Sequence, residues 1–199
     1  MTAVAIIDSG GANISSLLFA FERLGVNAVL SADAAVIQNA ERVLLPGVGA
    51  ARDAMQRLHE AGLVDVIRGL TQPVLGICLG MQLLCEHSDE ENVTCLGIIP
   101  GTATKLAASP QAPVPNMGWC ATEFAAQHPI LAGIEEGSFF YYLHSYALPL
   151  SPATIATAAH VEPFAAIVAR NNFVAAQFHP ERSSSAGARL LENFLSFKA

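Results

Sequence analysis

The sequence predicts an α/β fold with an open, mostly parallel central sheet, helices on both of its faces and an antiparallel β extension. Three observations carry this prediction. Short apolar runs without polar alternation recur in the first half, as strands buried on both faces require. Segments with helical periodicity separate them. Beyond about residue 92 the texture changes to closely spaced β-like runs and a final helix.

The first strand is the apolar run at residues 3–7. A glycine turn, Gly10-Gly11-Ala12-Asn13, leads to an amphipathic helix over 14–24 that stops at Gly25. Residues 27–30 and Arg42–Leu45 form the second and third strands, and Pro46-Gly47-Val48-Gly49 breaks the third. A helical stretch over 51–69 is interrupted near Gly62. Val74–Ile77 is the fourth strand, and a helix over 79–87 follows it. The runs 121–124, 138–143, 154–158, 165–169 and 174–178 read as antiparallel strands added to the parallel sheet. Asn171-Asn172, two residues that tolerate positive φ, supply hairpin turn chemistry, and a helix over 186–197 closes the chain. No repeat, low-complexity tract or flexible linker divides the sequence, so residues 1–199 are expected to form a single domain.

Composition narrows the function. Charged residues are only 14% against 52% hydrophobic, the net charge is −7, and no Lys/Arg block occurs. That balance argues against nucleic acid or an anionic membrane as ligand. The start of the chain lacks the long apolar core and basic flank of a signal peptide, and no apolar stretch is long enough for a spanning helix. The four cysteines form no C-x-x-C pair and no metal-knuckle spacing, which suits a reducing, cytoplasmic setting with no metal.

The most informative segment is Gly76-Ile77-Cys78-Leu79-Gly80-Met81-Gln82. It joins a strand to a helix with Cys78 at the junction and a glycine two residues to each side. This is a G-x-C-x-G form of the elbow in which a nucleophile sits on a sharp, strained turn. The glycines remove Cβ atoms that would crowd such a turn, and a helix N-terminus favours thiolate, the reactive form. Taken alone, Cys78 also reads as one more buried apolar residue.

His179-Pro180-Glu181 stands at the exit of the last strand run, so His179 enters the carboxyl edge of the sheet, where ligands of open α/β sheets bind. Pro180 fixes the backbone between its neighbours. Glu181 is then placed to reach back, hold the imidazole tautomer and support the imidazolium. By itself His179 reads as a strand-end histidine; with Cys78 the two read as base and nucleophile. An oxyanion hole would take one N–H from Leu79 and a second from the Pro46–Gly49 loop, a segment that alone is also ordinary turn punctuation.

The three motifs Pro46-Gly47-Val48-Gly49, Gly76 through Gln82 and His179-Pro180-Glu181 resemble the class I (triad) glutamine amidotransferase family, flavodoxin-like in architecture. Asp8-Ser9-Gly10-Gly11-Ala12-Asn13, Pro115-Asn116-Met117-Gly118-Trp119, Tyr142-Leu143-His144-Ser145-Tyr146 and Gln177 through Ser183 make the chain similar to the glutaminase subunits of imidazole glycerol phosphate synthase, over nearly its whole length. Relatives that feed anthranilate or aminodeoxychorismate synthesis generally lack the P-x-M-G-W and Y-x-H-S-Y combination.

The resemblance implies that Cys78 attacks the side-chain amide of L-glutamine, forms a γ-glutamyl thioester and releases ammonia. His179 would carry the proton and Glu181 would orient it. Backbone groups of Val48, Gly49 and Leu79 would complete the oxyanion hole. Gly47, Gln82, Glu90, His144 and Ser145 would meet the substrate, with Glu90 at its ammonium and the His144-Ser145 backbone at its carboxylate. No cofactor is implied. The implied partner is a separate (β/α)₈ cyclase subunit, forming a heterodimer that makes imidazole glycerol phosphate and aminoimidazole-carboxamide ribonucleotide in histidine biosynthesis.

Trp119, the one tryptophan of the chain, matches an anchor of that interface, and Asn13 and Arg182 match contacts on the same face. The alternative for Trp119 is a core position. The family pattern here usually reads P-H-M-G-W-N, whereas this chain has Asn116 and Cys120, two departures expected to fall on the interface.

Overall fold

The computed structural model describes residues 3–10 and 14–198, so the Gly11–Asn13 portion of the first turn, and with it the interface reading of Asn13, lies outside the described residues. The first half runs β1 (Val4–Ile7), α1 (Ile14–Arg23), β2 (Ala28–Ser31), α2 (Ala34–Gln38), β3 (Arg42–Leu45), α3 (Ala51–Glu60), α4 (Val64–Arg68), β4 (Val74–Ile77) and α5 (Leu79–Leu84). The second half adds β5 (His87–Ser88), β6 (Val93–Thr94), β7 (Thr102–Lys105), β8 (Asn116–Ala121), β9 (Glu123–Phe124), β10 (Phe139–His144) and β11 (Tyr146–Ala147). It closes with β12 (Thr154–Ala159), β13 (Pro163–Arg170), β14 (Phe173–Ala176) and α6 (Ser184–Ser196).

One sheet takes strands in the order β2-β1-β3-β4-β14-β13-β12-β9. The first five are mutually parallel, and β13, β12 and β9 continue the sheet antiparallel. The order reverses between β1 and β3, which opens a crevice at the carboxyl edge of the sheet. β1, β4 and β14 are buried at every position, as continuous apolar runs must be when helices cover both faces. Side chains then sort by strand alternation: Ala5, Ile7, Val43 and Leu45 pack with α3 and α4 on one face, while Val4, Ile6 and Leu44 pack with α1 and α6 on the other.

Three expectations need correction. The last strand, β14, lies parallel to β4 within the parallel sheet, and only its pairing with β13 is antiparallel. A hairpin signal at Asn171-Asn172 tells how two strands join but not what the second meets on its far side. The helix after Cys78 ends at Leu84, because Cys85 turns extended (ψ −178°) and starts a small mixed sheet, β11-β7-β5-β6. The runs at 121–124 and 138–143 do not both join the main sheet: Ala121 ends β8, which pairs with β10, the 138–143 run, in a separate two-stranded sheet, and only Glu123–Phe124 joins the main sheet as β9. The helix α2 went unread although Asp33 caps it, its carboxylate accepting from Ala35 N–H at 2.7 Å and Val36 N–H at 3.3 Å.

Candidate active site

β4 and β14 run side by side with Ile77 opposite Ala176, so the residues that leave their carboxyl ends enter the same crevice. Cys78 leaves β4 at φ 53°, ψ −110°, a conformation that costs a non-glycine residue about 1–3 kcal/mol. Its N–H still pairs with Ala176 O at 2.8 Å, which pins the turn to the neighbouring strand. The flanking glycines are sterically required. A Cβ on Gly80 would stand 1.7 Å from Leu45 O, and one on Gly76 would press on Leu84, Ala175 and Gly80 O. α5 therefore packs against β3 so closely that only hydrogen fits at Gly80. Leu79 opens α5, so its N–H has no acceptor within the helix.

His179 follows β14, and Pro180–Arg182 form a 3-10 turn that folds Glu181 back: its Oε1 accepts from His179 Nδ1 at 3.0 Å. The turn is held from three directions. His179 N–H donates to Tyr141 O at 2.9 Å, Ser183 Oγ donates to His179 O at 2.6 Å, and Tyr141 N–H donates to that Oγ at 3.0 Å. Below it, α6 approaches so closely that a Cβ on Gly187 would lie 2.0 Å from Pro180 O. Burial works against a charged His179, but hydrogen bonds to Cys78 and Glu181 and their negative charge outweigh it and push the imidazole up to about 10. With Nδ1 on Glu181, Nε2 is the nitrogen that serves the sulfur.

Around this pair lies a pocket of about 310 Å³, at the small end of small-molecule sites. Val48, Gly49, Leu79, Gln82, Glu90, His144, Ser145 and Arg182 line it together with Cys78, His179 and Glu181. Gly49 takes φ 91°, and Val48 is exposed. Gly47 is not on the wall; it stands behind, where an added Cβ would lie 3.0 Å from Leu79 Cβ. Glu90 Oε2 accepts from Ala51 N–H at 3.3 Å at the start of α3, whose N-cap has no side-chain bond of its own. Burial raises the Glu90 carboxyl, the Ala51 amide lowers it, and Glu91 raises it further, for a net upward shift.

Gln82 is buried, donating Nε2 to Tyr146 O at 2.8 Å and to Gln177 Oε1 at 3.1 Å. Gln177, directly after β14 and fully buried, was not singled out from sequence, although a glutamine inside the run Val174 to Phe178 is a buried-polar signal. Its Nε2 lies 3.8 Å from Cys78 Sγ, and Leu143 O lies 3.6 Å from the same sulfur. His144 is locked as the neutral Nδ1–H tautomer: Nδ1 donates to Tyr146 O at 2.9 Å, and Nε2 accepts from Asn116 Nδ2 at 3.1 Å. Burial above all pushes it down to about 4, against the Tyr146 carbonyl and helped by His160 and His179.

β8 and β10 form the outer rim. Their register pairs Met117 with Leu143, Trp119 with Tyr141 and Ala121 with Phe139. Met117, Trp119, Phe139 and Leu143 are exposed apolar side chains, Trp119 with 51% of its surface, so a core position for Trp119 is excluded. Arg182 stacks its guanidinium 4.5 Å over the Tyr141 ring, and Trp119 meets that ring edge-on. Strand alternation turns Asn116 and Cys120 the opposite way, to the inner side, with Cys120 Sγ donating to Asn116 Oδ1 at 3.5 Å. The two departures from the family pattern thus face each other behind the apolar rim, not on it. Among the described residues no group of His, Cys, Asp and Glu is arranged to hold a metal ion, and no helix is long and apolar enough to cross a membrane.

The family model for glutamine amidotransferase class-I matches residues 5–197. The imidazole glycerol phosphate synthase subunit HisH of Xylella fastidiosa is 49% identical over 199 residues, covering 100% of both chains. The subunit of the same name from Pasteurella multocida is 48% identical over 195 residues, 98% of each. Among solved structures, a glutamine amidotransferase superposes with TM-score 0.73 at 19% identity, over 98% of this chain and 97% of that one. The structure of PurLQS from Thermotoga maritima gives 0.72 at 17% identity, over 98% and 99%; both likenesses speak to the fold. The chain belongs to the class-I glutamine amidotransferase family, among the HisH subunits of imidazole glycerol phosphate synthase.

Proposed function

We propose that the chain hydrolyses L-glutamine to glutamate and ammonia with Cys78, His179 and Glu181, and that a (β/α)₈ cyclase subunit seated on the β8–β10 rim takes up the ammonia to make imidazole glycerol phosphate and aminoimidazole-carboxamide ribonucleotide. The observation that carries the reading is the meeting of an elbow cysteine with a histidine held by a buried glutamate, on neighbouring parallel strands and inside one pocket. Sγ attacks the amide carbon while His179 holds the thiol proton. The oxyanion is met by Leu79 N–H and by the Val48–Gly49 turn. His179 returns the proton to the leaving nitrogen, ammonia departs, and a thioester remains. His179 then deprotonates water, whose attack expels the sulfur and yields glutamate.

Both Gln82 amide hydrogens are committed, so its oxygen is the end left for the substrate ammonium, which Glu90 also attracts. The backbone of His144-Ser145 meets the carboxylate. Four free cysteines suit a reducing compartment, the cytoplasm. In the complex with the cyclase, Cys78→Ala is expected to abolish glutamine hydrolysis and leave ammonia-fed cyclase turnover intact; wild-type glutaminase activity in that variant would sink the reading.

A further inference from the structure

We propose that Gln177 donates a hydrogen bond to the sulfur of Cys78 throughout the reaction, in a direction set by a relay that starts at the carbonyl of Tyr146. This rests on the glutaminase reading of the site and names a donor to its nucleophile.

A carboxamide can present either end, so the orientation has to be argued from its partners. Tyr146 O is a backbone carbonyl and can only accept. At 2.8 Å from Gln82 it fixes that side chain with Nε2 inward. The second hydrogen of the same Nε2 points at Gln177, 3.1 Å away, which must answer with Oε1. The other end of the Gln177 carboxamide is then its NH₂, and that is the end 3.8 Å from Cys78 Sγ. Each amide is fixed by the one before it, and the first by a group that cannot flip.

The donor has an opponent. Leu143 O, 3.6 Å from the sulfur, accepts from a thiol and repels a thiolate. An N–H aimed at sulfur has the reverse preference, and bonds to charged groups are the stronger class. Sulfur carries negative charge twice, when its proton passes to His179 and when the acyl group leaves it. His179 gains and loses a proton between those moments, whereas the Gln177 N–H does not titrate. Gln177 is fully buried, so it faces the sulfur in the same position at both.

The test is the pH profile of Cys78 alkylation by iodoacetamide on the full chain, with Cys78→Ala giving the background of the other cysteines. In Gln177→Met the rate at pH 7 is expected to fall on the order of tenfold, about the worth of one charge-assisted bond, with the profile displaced to alkaline pH. A folded Gln177→Met whose profile overlays that of the wild type would overturn the proposal. Should that variant not fold, Gln82→Met, which frees Oε1 of Gln177 without touching Cys78, is expected to move the profile the same way by less; an unmoved profile there overturns it equally. Alkylation needs no glutamine, so this failure is distinct from failure of the glutaminase reading, which the Cys78→Ala complex decides.

Discussion

Asn116 Nδ2 donates to Nε2 of His144 at 3.1 Å, and this bond requires the imidazole to be neutral. His144 is depressed in the folded chain to about 4 from an ordinary value near 6.5. The folded state thus prefers the unprotonated ring: the stability from this group is present above pH 6.5 and is lost as pH falls toward 4, up to about 3 kcal/mol. Denaturant unfolding at pH 7 and pH 4.5 is expected to show a smaller acid loss for His144→Gln, which cannot titrate. Equal losses in both proteins would contradict the assignment.

His179 shifts in the other direction, up to about 10, so its sign reverses. The charged ring is favoured by folding, its stability is fully present below pH 6.5, and it drains away as pH rises toward 10. Glu181→Gln removes one of the groups that raise it. The alkaline loss of stability between pH 7 and 10 is expected to shrink in that variant, and glutamine hydrolysis to drop by about 10² or more as the base loses its orientation. Retention of wild-type turnover would remove Glu181 from the reaction.

The elbow stores strain that a substitution can release. Cys78→Gly and Cys78→Ala both delete the thiol, but only glycine accepts φ 53° freely. Thermal unfolding is expected to rank Cys78→Gly above Cys78→Ala by roughly 1 kcal/mol, against the usual cost of an added glycine. The opposite ranking would show that the backbone is not strained there.

Gly80→Ala is expected to cost more than about 3 kcal/mol or to prevent folding, because its Cβ would overlap Leu45 O at 1.7 Å and the obstacle is backbone. Circular dichroism melts decide this. A wild-type melting curve would mean that α5 can lift from β3.

Trp119→Ala tests the rim. The ring is half exposed, so the melting temperature of the isolated chain should change little, while affinity for the cyclase subunit is expected to fall by 2 kcal/mol or more, about thirtyfold. Titration calorimetry reads both the affinity and its absence; undiminished affinity would place the partner elsewhere.

Much of this architecture was legible because burial writes itself into composition. Strands β1 and β4 are covered on both faces and show as unbroken apolar runs, and Gly76 and Gly80 mark a close approach that nothing larger permits. The small mixed sheet was not legible: β5, β6 and β11 are two residues each, too short for any period to appear. Cys78, His179 and Glu181 announce themselves by residue type and junction. Gln177 and Asn116 did not, since their roles rest on which neighbour each amide faces, and that is decided by strand pairing across distant segments. The same alternation turned Asn116 and Cys120 inward, a fact that needs the register of β8 against β10.

That register has a mechanical consequence. Tyr141 and Leu143 hold their side chains out on the rim while their carbonyl oxygens meet His179 N–H and Cys78 Sγ. Rim and pocket are one piece: a body leaning on those two side chains leans on the peptide units that meet His179 and Cys78, with no intervening layer to absorb the push.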